Sequence, residues 1–214
     1  VDFWVDRYTA STEAVVWVEV PSLAANGYTN LFVYFGNASS TSSSSAANTF
    51  SFSDDFEDNN ISEYSGDTTL FQTDTTPVYG GTYALEAQNK SGRTTDGIFR
   101  TGSLTAQGQL IRYRQYVDVS GGSSDEGCVL FGVQTPGTSN NNYAVCLELF
   151  GTDRLSLSKN VTDNDVSGTR LASTTVSYTT GWYQVEVDWQ TSNRIDVYLY
   201  NPSGTLVATT TATD

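Results

Sequence analysis

The chain has 214 residues, 38% of them hydrophobic and 13% aromatic, with 24 acidic against 10 basic side chains and a net charge of −14. It contains no histidine, which removes the usual general base and the commonest zinc ligand and so excludes most hydrolase triads and zinc sites. The acidic field repels nucleic acid and anionic membranes, and no apolar run approaches a bilayer span, so neither nucleic-acid binding nor membrane insertion is expected.

Three strand candidates open the chain: Phe3–Arg7, Ala14–Val20 and Asn30–Phe35, the last two separated by an Asn26-Gly27 turn signal. They define an N-terminal β-unit over residues 1–37. Residues 38–49 are Ser-rich and aperiodic, which is the composition of a linker or exposed loop. A second unit, residues 50–214, follows. Its strand candidates are Tyr83–Gln88, Ile98–Arg100, Gln109–Val119, Cys128–Gln134, Tyr143–Phe150, Arg154–Ser158, Trp182–Trp189, Arg194–Tyr200 and Leu206–Thr210. No stretch carries a useful helical period. Many short strands with turn signals between them predict an all-β fold, an antiparallel β-sandwich or jelly roll.

Alternation assigns the faces of those strands. Ile111, Tyr113, Val117 and Val119 share one face, as do Val129, Phe131 and Val133, and Val145, Leu147 and Leu149. Val185, Val187 and Trp189, with Ile195, Val197 and Leu199, continue the pattern, and together these predict the core between two sheets. The opposite, wet faces carry Arg112, Arg114, Tyr116, Glu148, Gln184, Glu186, Asp188, Tyr198 and Tyr200.

The two cysteines, Cys128 and Cys146, lie on apolar runs that flank a turn segment centred on Gly137. If the runs form a hairpin, the two sit directly opposite each other, about 4.5–5.5 Å apart at Cα and within disulfide reach. A cross-strand disulfide formed in an oxidising compartment is the first reading, and a pair of reduced, facing thiols is the other.

Charged residues are only 16% of the chain, and lysine occurs only at Lys90 and Lys159. Ser, Thr, Asn and Gly supply most of the remaining polar surface, as in secreted, wall or virion proteins. Surplus carboxylate with scarce lysine suits high salt, where screening removes self-repulsion; an ordinary acidic secreted protein is the plainer alternative. With no methionine, the sequence reads as a processed product or a trimmed fragment.

The opening run Val15-Val16-Trp17-Val18-Glu19-Val20-Pro21, then Leu31-Phe32-Val33-Tyr34-Phe35-Gly36-Asn37, then Asp54-Asp55-Phe56-Glu57, resembles the second half of an uncharacterised domain of archaeal and bacterial cell-surface proteins. In those proteins the domain precedes a concanavalin A-like (laminin-G-like) β-sandwich. Gly181–Trp189 with Asp196–Tyr200 and Ser203-Gly204 is similar to the late hairpin of such sandwiches. The resemblance implies an extracellular or cell-surface location and a concanavalin A-like jelly roll. In the relatives one more Gly-rich apolar strand follows that hairpin.

Glu186 and Asp188 resemble part of the acidic strand of laminarinase-type glycosidases. A retaining mechanism needs a nucleophile and an acid about 5–5.5 Å apart, and the further Glu of the family pattern is replaced here by Trp189, Gln190 and Thr191. Glu148 is the second carboxylate that another strand could supply. Without the second acid, the expected protein is not an enzyme. A shallow carbohydrate site is expected instead from Arg112, Arg114, Tyr116, Glu148, Tyr198 and Tyr200, because aromatic rings stack on sugars while Arg and Glu fix hydroxyls. The same residues are also ordinary choices for an exposed sheet.

Two acidic clusters, Asp54–Asp58 and Asp163-Asn164-Asp165, have the oxygen chemistry that calcium requires without the EF-hand spacing. The resemblance implies a structural calcium beside the first strand of the sandwich, with Asp55 as its ligand; no other cofactor is expected. Four sequons make Asn37, Asn60, Asn89 and Asn160 candidate glycosylation sites. The function expected is a non-catalytic extracellular surface or adhesion module whose partner is a glycan or other copies of itself. Two alternatives stand beside it. One is a structural subunit joined into a filament by β-strand complementation, with Phe3–Arg7 and Ala14–Val20 reaching a neighbour's edge left open by the absent last strand. The other is a glycoside hydrolase or lyase.

Overall fold

A computed structural model describes residues 1–34, 36, 37, 39, 41–88, 97–100, 107–120, 125–135, 141–161 and 168–214. The chain divides into two compact units, Val1–Asp54 and Asp55–Asp214.

In the first unit β1 (Phe3–Thr9) and β2 (Glu13–Val18) form an antiparallel hairpin, with a bulge between Val5 and Arg7 and Trp4 directly opposite Trp17. Thr12 N–H donates to Thr9 O at 3.0 Å to close the turn, and Arg7 pairs with Glu13 at 2.8 Å across its mouth. A single helical turn, α1 (Ala46–Thr49), is capped by the Ser45 hydroxyl, which accepts from Asn48 N–H. Phe50, just after it, sets its ring edge-on against Trp4 and Trp17 at 5.6 and 5.7 Å. These three half-buried rings form an aromatic cluster in the unit. Within the stretch expected as a linker, Ser44 Oγ accepts from Val5 N–H, and Ser45 N–H donates to Phe3 O. The third strand candidate, Asn30–Phe35, differs from expectation: residues 30–34 belong to no sheet and are exposed, and Phe35 lies outside the described residues.

The second unit is an antiparallel β-sandwich that does not close into a barrel. Its strands in chain order are β3 (Tyr64–Gly66), β4 (Phe71–Asp74), β5 (Ala84–Ala87), β6 (Ile98–Arg100), β7 (Gln109–Val117), β8 (Asp125–Phe131), β9 (Tyr143–Leu149), β10 (Arg154–Lys159), β11 (Thr169–Thr175), β12 (Gly181–Trp189), β13 (Arg194–Tyr200) and β14 (Leu206–Thr213). One four-stranded sheet runs β11-β10-β9-β8 and the other β14-β13-β12-β7, with two-stranded ladders β3-β6 and β4-β5 beside them. The core lies between the four-stranded sheets. Val145, Leu147, Leu155 and Leu157 enter from one side, and Val185, Val187, Ile195, Val197 and Leu199 from the other, all buried. Period-2 burial along β12 is what a strand with one wet face requires, and β13 keeps it except at Asp196, which is buried on the outer side.

Three rings, Phe131, Tyr143 and Trp189, close one end of that core with mutual centroid distances of 5.4–5.6 Å. Gly132 makes room for them. A Cβ there would come within 2.8 Å of the Trp189 ring, and its φ of +62° suits glycine. This turn also ends β8 at Phe131, so Val133 lies past the strand that was expected to reach Gln134. Val119 likewise falls beyond β7 and is exposed, because Asp118 turns the chain by accepting from Ser120 N–H. At the other border, β11 and β14 are joined by Thr174 Oγ donating to Thr209 O.

The disulfide is present. Cys128 and Cys146 are register partners in β8 and β9, bonded on the face opposite Val129 and Val145. Cys146 is buried there with Ala144 and Val161, and Cys128 and Leu130 pack against them.

Candidate functional site

The outer face of the β14-β13-β12-β7 sheet gathers most of the residues that the sequence singled out. Register fixes their rows: Tyr116 opposite Trp182, Arg114 opposite Gln184 and then Tyr200, Arg112 opposite Glu186 and then Tyr198. Because β7 and β12 present every second residue outward, three side chains from each strand meet side by side.

Arg112 and Glu186 form an ion pair. Gln184 Nε2 donates to Glu186 Oε1 at 3.1 Å, and the Tyr200 hydroxyl donates to Oε2 at 3.5 Å. Burial, and then the neighbouring Glu186 charge, push the Tyr200 phenol above its ordinary value. Arg114 reaches Gln184 Oε1 at 3.3 Å, and its guanidinium stacks over the Tyr79 ring, 4.0 Å from the centroid. Trp182 stands edge-on to both Tyr116 (5.5 Å) and Tyr79 (6.2 Å). Its indole N–H is buried without an acceptor among the described residues. The result is an aromatic corner with a stacked cation, bordered by a neutralised carboxylate.

Tyr79 and Trp182 were missed as site residues. Tyr79 lies in the connection between β4 and β5, and nothing in its local sequence says which sheet face that connection crosses. Its placement has a traceable cause. The Glu57 carboxylate accepts from Thr82 N–H at 2.8 Å and from Tyr83 N–H at 2.9 Å, which pins the base of the loop. Those two bonds, the one from Tyr83 first, hold the Glu57 carboxyl below the usual range. Gly81 allows the approach, since a Cβ at its φ of +74° would fall 2.3 Å from the same carboxylate.

Glu148 does not join the site, which corrects the expectation. Its strand, β9, pairs with β8 and β10, so Glu148 lies in the other sheet, on the face turned away from the core. There it is 3% exposed, held by Arg170 Nη2 at 2.8 and 2.9 Å and approached by Arg154 Nε at 3.7 Å. A carboxylate so placed cannot partner Glu186 in glycoside chemistry. Further along β13, Asp196 accepts from Arg194, Gln190 and Thr211, and the contacts with Arg194 foremost, then Thr211, hold its carboxyl low.

Asp55, the expected calcium ligand, accepts from Glu57 N–H at 3.2 Å within its own turn. Among the described residues, the gathering of three metal-capable side chains is Glu126, Cys128 and Cys146, where both sulfurs are in the disulfide. Asp163-Asn164-Asp165 lies outside the described residues, as does Asn89. The other sequon asparagines are exposed. Asn60 Oδ1 accepts from Ser62 N–H while its Nδ2 donates to Ser62 Oγ; Asn37 Oδ1 accepts from Ser39 N–H; Asn160 Oδ1 accepts from Asn141 N–H.

Residues 1–69 match the family model of a domain of unknown function, DUF2341. No curated protein and no solved structure matches the chain. The chain is an all-β protein whose residues 1–69 are similar to that domain and whose second unit is a disulfide-bonded antiparallel sandwich.

Proposed function

We propose that this protein is a non-catalytic, extracellular surface module of concanavalin A-like type that binds glycan on the outer face of the β7–β12–β13 strands. The observation that carries the reading is the aromatic corner of Tyr116, Trp182 and Tyr79 around Arg114. Flat rings beside fixed hydrogen-bond donors are the chemistry that sugar rings and hydroxyls need. An extracellular or cell-surface location is supported by the disulfide, which forms and persists in oxidising compartments. Among the described residues no helix is long and apolar enough to cross a membrane. A non-catalytic role is supported by the ion pair that occupies Glu186 and by the distance of Glu148 from it in the fold.

A glycan array on folded protein, followed by titration calorimetry, tests the reading. Tyr116→Ala or Tyr198→Ala is expected to weaken binding by about 1–3 kcal/mol, the scale of one stacked and desolvated contact. An array without hits would overturn it. Turnover of laminarin, lost on Glu186→Gln, would replace it with the hydrolase reading.

A further inference from the structure

We infer that Asn30–Tyr34 is a strand that pairs, in a second copy of this chain, with the edge of β2 that carries no strand among the described residues, an assembly contact independent of the proposed glycan face. Leu-Phe-Val-Tyr is built from side chains that favour pleated, paired backbone, yet the segment lies in no sheet. Leu31 is 48%, Phe32 76%, Val33 80% and Tyr34 92% exposed. In a strand, Leu31 and Val33 would share one face and Phe32 and Tyr34 the other. Both sets are uncovered, so packing against a single surface would bury only half of the run. Addition to a sheet edge satisfies its backbone groups and brings neighbours to both faces.

The acceptor follows from the hydrogen bonds of the first unit. β1 and β2 make a two-stranded sheet, and the far side of β1 is taken by Ser44 and Ser45. The far side of β2 carries no strand among the described residues. A two-stranded sheet is marginal in water, and a third strand is what gives such a unit independent stability. Phe3–Arg7 and Ala14–Val20, expected to be the donated strands, are already partners of each other. The donor role passes to Asn30–Tyr34.

The absence of charge in this region favours a second copy as the occupant. Residues 20–53 contain no Asp, Glu, Lys or Arg, although the whole chain has a net charge of −14. A partner selected by charge would find nothing to pair with here. Two acidic copies, by contrast, can meet along this run without placing like charges opposite each other, and salt screens the rest. Residues 30–34 are uncharged, free of proline and of high strand propensity, the character of segments that self-pair. Reciprocal exchange closes a dimer about a two-fold axis, and head-to-tail donation builds an open chain.

Sedimentation velocity on the full chain, over a wide concentration range at low and high salt, tests the inference. Association that strengthens with salt is expected. It should be lost in Val33→Pro, which removes a ladder N–H without adding charge, and in Phe32→Asp. It should persist in Leu23→Asp, which adds the same charge outside the segment. Unchanged far-ultraviolet circular dichroism would establish that the variants fold. A monomer under all conditions, including one whose segment folds back on its own β2, would overturn the inference. So would an assembly that Val33→Pro leaves intact.

Discussion

Arg112 and Glu186 stand directly opposite each other across β7 and β12 and form an ion pair on the outer face of the sheet. With Gln184 and Tyr200 also donating to it, the Glu186 carboxylate holds two rows of the face in register. Its chemistry here is that of a brace between strands, and the aromatic corner beside it inherits a fixed backbone.

The loop carrying Tyr79 should matter through its anchor. Glu57→Gln weakens the acceptor for Thr82 and Tyr83 N–H, and Gly81→Ala forces a Cβ onto that side chain. Both are expected to lower glycan affinity in the same direction as Tyr79→Ala, with a smaller effect for Glu57→Gln. Calorimetry on the three variants reads this. An affinity that falls for Tyr79→Ala and stays unchanged for both anchors would show that the loop is positioned by something else.

Loss of the Cys128–Cys146 bridge should cost about 2–4 kcal/mol, since it closes a loop of moderate length in the unfolded chain. Urea denaturation of Cys128→Ser/Cys146→Ser against the parent measures the difference. Two reactive thiols in unreduced, denatured protein would contradict the bond itself.

Glu148 and its arginines predict an asymmetry. Arg170 is 42% exposed and Arg154 29%, whereas Glu148 is nearly sealed. Removing the acid returns two cations to water, so Glu148→Gln should cost about 1 kcal/mol. Arg170→Met leaves a buried carboxylate short of its main partner and should cost about 3 kcal/mol. Equal losses in denaturant titrations would mean that the arginines are as dependent on the acid as the acid is on them.

The protein should unfold in alkali as its buried phenols are forced to ionise. Burial pushes Tyr113 and Tyr178 far above their ordinary values. An unfolded tyrosine loses its proton near pH ~10, so above that pH the folded chain binds more protons than the unfolded one. Stability is therefore complete below pH ~10 and falls as pH rises further. Tyr113→Phe removes one such group and should move the alkaline midpoint upward, followed by phenolate absorbance. A midpoint that stays or drops would refute this account.

Much of the sandwich could be read from residue order. Val185, Val187 and Trp189 with Ile195, Val197 and Leu199 announce a hairpin with one dry face, and the structure pairs them in that register. The cysteines were legible because a turn separates them and adjacent strands pair locally. Glu148 was misplaced for the converse reason: alternation says which way a side chain points but not which sheet its strand enters. β11 was invisible, since Thr169–Thr175 is an edge strand whose mixed burial leaves no apolar period. Asn30–Tyr34 has the residues of a strand and no sheet, because pairing depends on a partner and no local pattern supplies one.

The aromatic corner proposed to bind glycan depends on the least local of the described ladders of the sandwich. β8 through β11 and β12 through β14 are consecutive hairpins, whereas β7 must find β12 across the whole of the intervening sheet. Contacts between distant parts of a chain bear their closure entropy before they return any stabilisation, so they form late. During synthesis Arg112, Arg114 and Tyr116 emerge well before Trp182, Gln184 and Glu186, and until the two groups meet there is no aromatic corner. On the proposed reading, ligand recognition becomes a property of the finished molecule alone, absent from the nascent chain while it is still folding.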